Sequence, residues 1–425
     1  MTLEIKTSNV EPIRQNYAYI ERRFGSKPAT RYQEVSFDVQ AETNFHYRPL
    51  WKPEKTLNDK THTALQMQDW YAFKDPRQFY YGTYVQHRAR LQDTAESNFA
   101  FFEKRQLAEH LSDEVKAKII EYLLPFRHVE QTANLHMMSG SAYGYGTVLT
   151  QACIYAAMDH LGIAQYISRI GLALDGNSGD SLQQAKQAWM QHPAWQGLRR
   201  LCEESLTEQD YFKLFLLQNL VIDGFVTELV YQQFDQWLVT QNARDLAMLT
   251  EFMKDTLGDL RKWSDTVIKT AAAESDHNKQ LLNEWFTESL AQVKAAFTPW
   301  ATAALTVEAV DQAEQAVIER AKKTRPTATY KCLRRSNMSK VYLALQDNDT
   351  SRYILEAIEE DNPEASIQYL PAMIRIESET DLVIKAETVS EKLGQDWDIQ
   401  SLQLNMITLG GNVEEDDDTF RLHWN

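Results

Sequence analysis

The sequence predicts two unlike folds in one chain. The first is an all-α antiparallel helical bundle preceded by an extended arm; the second is a small α+β domain of order βαββαββ. Three observations carry this. Between about Tyr84 and Val317, apolar residues recur three and four apart over long runs, which is the period of a helix face. At Met338 the period drops to two, as in VYLALQ (Val341–Gln346). The charge is also split: of a net −16, residues 338–425 carry −13, from six Lys/Arg and nineteen Asp/Glu, while the other 337 residues carry −3.

Residues 1–60 read as the arm, with aromatic, arginine and proline punctuation (FGSKPATRYQEVSF, NFHYRPLWKPEK) and no sustained period. The segment is too aromatic for disorder and reads as laid over another surface, its own core or a second subunit. Tyr32, Phe37, Phe45, Tyr47 and Trp51 are its expected anchors, because large rings supply contact area at low entropic cost.

The helical domain is expected over 61–322. Glu114–Met138 is amphipathic and broken at Pro125, Thr147–Ile170 is a second long helix, and Asn242–Ala271 is a fourth. Between them Asp210–Val239 is apolar on nearly every face from Tyr211 to Phe225, so it belongs inside a bundle. Gly176–Ser181 (GNSGDS) is a loop, and Glu284–Ala321 a helical hairpin interrupted near Pro299. Two pairs of long helices result. Basic residues 323–337 form a linker, and Met338 reads as the initiator of a once-separate polypeptide. In the 338–425 domain the expected elements are VYLALQ, the helix DTSRYILEAIEED, strands SIQYL and AMIRIE, the helix KAETVSEKLG, and strands LNMIT and FRLHW.

Composition excludes several functions. No charge-free apolar run approaches the ~20 residues of a membrane span, and the first residues show no signal core, so the cytoplasm is expected. Three scattered cysteines (Cys153, Cys202, Cys332) make neither a disulfide framework nor a zinc site. The acidic C-terminal domain would repel phosphates, which argues against nucleic acid; a protein partner steered by the acidic face and a simple gain in solubility account for the charge equally well. No phosphate loop, dinucleotide fingerprint or nucleophile elbow is present. Leu409–Asn412 (LGGN) reads as a turn and Glu414–Asp418 (EEDDD) as a solvated acidic loop, since five adjacent acids cannot converge on one ion.

A bundle of this size raises one sharp alternative, a carboxylate-bridged di-iron site. That site takes a carboxylate from each of two helices and Glu-x-x-His from each of two others, all pointing inward. The one Glu-x-x-His is Glu274–His277, in a polar segment at a helix end. Glu130, Asp159, Asp223 and Glu228 are candidate inward carboxylates. Three residues after Glu130, Asp159 and Glu228 come Ala133, Gly162 and Tyr231, and His136 and His160 stand isolated. The frame lacks the ligand set, so the chain reads as non-catalytic, with no catalytic, cofactor or metal residue of its own.

Two blocks, RYQEVSFDVQAETNFHYRPLWKPE and DWYAFKDPRQFYYGTYVQHRARLQ, resemble the β (small) hydroxylase subunit of bacterial multicomponent monooxygenases, the phenol hydroxylase branch above all. The resemblance implies a ferritin-like fold without iron ligands, bound to an α (large) subunit that holds the di-iron centre. It also implies a γ subunit, an (αβγ)2 assembly, and a reductase carrying FAD and an iron–sulfur cluster. ALQDND, YLPAMIRIE and ITLGGNVEEDDD resemble the small coupling (effector) protein of the same systems, which has no cofactor and docks on the α subunit. Contacts are expected at Met373, Ile374, Met406, Gly410, Gly411 and Asn412. The fusion departs from these families, where the two are usually separate chains. The alternatives left open are that the chain is itself a di-iron oxygenase, or a free-standing oligomerisation scaffold.

Overall fold

A computed structural model describes residues 18–26, 28–42, 47–50, 52–324, 341–346, 348–370, 373–378, 381–394, 397–410, 412–416 and 418–423. The chain divides into two compact units, Met1–Thr327 and Ala328–Asn425.

In the first unit, short helices α1 (Ala18–Phe24) and α2 (Arg31–Ser36) stand where the sequence predicts extended chain. Thr30 caps α2, and its partner Gln33 closes the capping box, a signal present in TRYQ. Eight further helices follow through the bundle: α3 (Tyr81–Lys104), α4 (Asp113–Tyr122), α5 (Phe126–Tyr143), α6 (Thr147–Leu174), α7 (Asp180–Gln191), α8 (Pro193–Ser205), α9 (Tyr211–Thr240) and α10 (Arg244–Glu274). The hairpin of α11 (Asp276–Ala304) and α12 (Val307–Thr324) completes it.

Pro125 ends the α4 run as expected. A break leaves carbonyls without intrahelical partners. Two of them are taken by indoles, Trp195 Nε1 donating to the Glu121 carbonyl at 2.8 Å and Trp300 Nε1 to that of Tyr122 at 3.0 Å. Phe126 packs edge-on to both rings. Pro299, by contrast, lies inside α11 and interrupts nothing, because buried Phe297 and Trp300 anchor the helix on either side of it. The hairpin turns at Leu305 and Thr306 instead.

Helix α9 is long and apolar enough to cross a membrane by length and composition, yet it is the buried centre of the bundle. Two stretches of it, Leu217–Ile222 and Leu229–Phe234, are π-helical. Gly224 lets it approach α12, where a Cβ would stand 2.6 Å from Val317 Cγ2.

The second unit holds β1 (Val341–Gln346), α13 (Asp349–Asp361), β2 (Ser366–Leu370), β3 (Met373–Ser378), β4 (Leu382–Lys385), α14 (Ala386–Leu393), α15 (Leu402–Asn405), β5 (Met406–Gly410), β6 (Asn412–Glu415) and β7 (Thr419–His423). The small α+β class holds, with seven strands among the described residues where the sequence predicts five. The added strands β4 and β6 have four residues each, too few to show a period. They form two antiparallel sheets, ordered β2-β3-β1-β5 and β4-β7-β6. Leu409, Gly410 and Asn412 thus belong to strands, with the change of sheet between them. Glu414 and Glu415 lie in β6 as well, not in an acidic loop. Asn362 imitates a backbone neighbour of β4: its amide donates to the Val383 carbonyl at 2.6 Å and its carbonyl accepts from Val383 N–H at 2.8 Å.

Candidate functional site: a buried charge network and the exposed apolar faces

Three of the four inward carboxylates are buried, and the two helical histidines lie between the helices that carry them. His160 on α6 donates from Nδ1 to Glu130 Oε2 on α5 at 2.7 Å, and its Nε2 is 3.8 Å from Asp223 Oδ2 on α9. Gln218 Nε2 donates to Asp223 Oδ1 at 2.7 Å, which leaves the Gln218 carbonyl to accept from His136 Nδ1 at 2.9 Å. His136 Nε2 then accepts from the Ser205 hydroxyl at 2.8 Å.

The two histidines are held in opposite charge states. Burial pushes His136 down to about 4, so it is neutral. Burial alone would also lower His160, but Asp223 and the hydrogen bond to Glu130 more than offset it and raise it to about 9. A protonated His160 is itself the cation these carboxylates surround. Among the described residues, no group of three or more His, Cys, Asp or Glu could hold a metal ion.

A second network joins α3, α6 and α10. Arg88 forks onto Asp159 with two bonds of 2.7 Å and reaches Asp259 at 3.0 Å, while Tyr84 donates to Asp159 at 3.0 Å. A third secures the irregular helix: buried Arg320 on α12 donates to the Asn219 carbonyl, within a π-helical stretch, at 2.8 Å, and binds Asp265 and Ser264. Glu228 is only partly buried and accepts from Gln232. Glu274 and His277 straddle the joint between α10 and α11, and Glu274 accepts from Gln68 N–H at 2.7 Å.

The predicted arm anchors divide. Tyr32 and Phe37 are buried in the chain's own core: the Tyr32 hydroxyl accepts from Asp75 N–H, and Phe37 packs against Phe24, Tyr32 and Tyr71. Tyr32 is 7% and Phe37 3% exposed, so both rings pack chiefly against this chain itself. Tyr47 is half exposed. Phe45, Trp51 and Gly411 lie outside the described residues, as do 325–340, which hold most of the expected linker, Met338 and Cys332. In the second unit Ile374 points into the core, because alternation puts it on the same face as Leu345 and Ile376. Met373, Met406 and Gly410 are partly covered and Asn412 is exposed. Gly410 is required by the Tyr342 ring, which a Cβ there would overlap. Among the described residues of this unit, the large exposed apolar side chains are Tyr353, Tyr369, Ile407 and Val413, which the sequence reading missed.

It missed the bundle's exposed residues too. Leu135 and Met138 on α5 and Ile154, Met158 and Leu161 on α6 are between 37% and 49% exposed. The signal was available: α6 has more apolar positions than one buried stripe needs.

The first unit is thus an antiparallel helical bundle with a buried charge network inside and apolar side chains left outside. The chain belongs to the methane/phenol/alkene hydroxylase family, which it matches over residues 51–275. Residues 339–423 match the MmoB/DmpM family, so a hydroxylase subunit and an effector share one polypeptide. The first part is 98% identical, over 323 residues, to the phenol 2-monooxygenase oxygenase component MhpL of Acinetobacter pittii, covering 76% of this chain and 97% of that protein. The last part is 58% identical, over 86 residues, to the phenol 2-monooxygenase stimulatory component DmpM of Pseudomonas sp. CF600, covering 20% of this chain and 96% of that protein. A crystal structure of xenon-pressurised phenol hydroxylase from Pseudomonas sp. OX1 contains a chain 46% identical, with a TM-score of 0.72, over 76% of this chain and 98% of that one.

Proposed function

We propose that this chain supplies a multicomponent di-iron phenol monooxygenase with its β subunit and its effector together. The observation that carries this is that two relatives, an oxygenase component and a stimulatory component, are each matched almost end to end by successive parts of one chain. The β part does no chemistry of its own. Its buried carboxylates are engaged by His160, Gln218 and Arg88, which supports a scaffolding role. Oxygen-dependent ring hydroxylation belongs to a partner α subunit holding the di-iron centre, completed by a γ subunit in an (αβγ)2 assembly. A reductase with FAD and an iron–sulfur cluster delivers electrons from NAD(P)H in the cytoplasm. The effector domain acts by preferring one arrangement of the α subunit's helices over another. Tethering it raises its local concentration toward the millimolar range (order of magnitude).

Metal analysis of the purified chain, with and without a co-expressed large subunit, tests the assignment. Iron is expected only in the complex; stoichiometric iron with oxygenase activity in the chain alone would make it a di-iron oxygenase itself. Cutting the chain at Met338 tests the tether. The cut form is expected to lose turnover on dilution and regain it with added effector, and identical rates for cut and intact chain would remove any role for the fusion.

A further inference from the structure

Helices α9, α10 and α12 meet around a narrow cleft that leads from solvent toward the buried charge cluster. Helix α9 lines it with Asn219, Asp223 and Thr227, each four residues after the last, while α10 and α12 close its sides. Exposure grades along it. Asn219, Asp223 and Arg320 are buried, Thr227 and Ala316 are half-buried, and Arg261 on α10 is exposed to solvent. Asp223 belongs to both features, because it lines the cleft and its Oδ2 is 3.8 Å from His160 Nε2. The two π-helical stretches of α9 border the same place: Asn219 lies within the first and Glu228, also in the lining, immediately precedes the second. Such turns depart from regular helix packing and recur where a helix carries a polar site.

We propose that this cleft binds one ordered water against Asp223, and that through it the proton on His160 Nε2 exchanges with solvent while the bundle stays folded. Size and charge choose the occupant. The cleft has room for about 20 Å³, where a single water needs roughly 10–15 Å³ and an organic ligand far more. Its charged lining, Asp223 and Glu228 against Arg261 and Arg320, sums to zero, so it attracts neither a cation nor an anion.

The hydrogen-bond inventory calls for the same molecule. Asn219 Oδ1 and His160 Nε2 are buried and find no partner among the protein's own groups, which is costly unless water supplies one. A separation of 3.8 Å between Nε2 and Oδ2 is too long for a direct bond and is the kind of gap that water closes. Arg320 does not fill the need, since its donors go to the Asn219 carbonyl, Ser264 and Asp265. The Thr227 hydroxyl donates to the Asp223 carbonyl at 2.6 Å, which leaves its oxygen able to accept from a water. In the exchange a proton passes from Nε2 to Asp223 and on to the water, and a solvent proton returns by the same route, so the cluster keeps its charge.

The test is the exchange of imidazole protons with water at pH 7, read by magnetisation transfer in the full chain labelled with ¹⁵N-histidine. His160 is assigned by the signal lost in His160→Gln. Ala316→Leu on α12 fills the cleft from its half-buried side, and Ala316→Ser leaves it open; urea titration establishes that each variant is folded. The leucine is expected to slow exchange at Nε2 at least ~10-fold, as local access is replaced by rarer openings of the bundle, while the serine variant exchanges as wild type does. A line broadened beyond detection in wild type that sharpens in Ala316→Leu is the same result. Equal exchange in wild type and Ala316→Leu, a line absent from both, or a wild-type rate that climbs with urea as steeply as the core amides of α9 overturns the proposal. Should the leucine disturb folding, a high-resolution crystal structure of the wild-type chain decides: water density within hydrogen-bond distance of Asp223 in this cleft supports it, and a dry cleft overturns it.

Discussion

The charge on His160 sets a specific dependence of stability on pH. The imidazole is raised to about 9 in the folded chain, from an ordinary value of 6.5, by Asp223 and Glu130 against the opposing effect of burial. The folded state therefore holds this proton more tightly than the unfolded state does. Its contribution is complete below about pH 6.5, declines as pH rises, and is gone above about 9. At 1.36 kcal/mol for each tenfold change in proton affinity, the contribution is about 3 kcal/mol. Other shifted groups of the same network act elsewhere. His136, lowered to about 4 by burial, reduces stability only as pH falls below 6.5. Asp223, raised to about 6 chiefly by burial, acts below that value. Burial of Cys202 raises it to about 12, from 9.0, so its effect begins above the window. Urea denaturation of wild type and His160→Gln, followed by far-ultraviolet circular dichroism between about pH 6.5 and 9, isolates the group. Wild type should lose about 3 kcal/mol across that range, and the variant little. Parallel pH profiles for the two proteins would show that His160 is neutral in the folded chain.

The remaining predictions concern packing and hydrogen bonding. Arg320→Met leaves the Asn219 carbonyl and Asp265 without their donor and should cost about 3–5 kcal/mol in denaturant titration. Gly224→Ala forces α9 away from Val317, and despite a gain in helix propensity it should destabilise the bundle by about 1–2 kcal/mol. Asn362→Ala removes both bonds to Val383 and should lower the stability of the C-terminal unit by about 1–3 kcal/mol, read by amide exchange in β4, while helix α9 keeps its protection.

What could be read in advance was whatever lies within one element. The all-round apolar run of α9, the break at Pro125 and the switch from period three-to-four to period two are local, and so the division into a bundle and a small α+β domain was visible in the chain. Local signals misled where neighbours decide: Pro299 is tolerated because Phe297 and Trp300 hold α11 on either side, and β4 and β6 are too short to declare themselves without β7 beside them. Periodicity says which residues of a helix share a face, but not which helices meet. Glu130, His160 and Asp223 are thirty and sixty-three positions apart in succession. Only the packing of α5, α6 and α9 turns two isolated acids and an isolated histidine into one buried charge cluster. The same holds for the rings of the arm, where Tyr32 and Phe37 went inward and Tyr47 outward for reasons of tertiary fit.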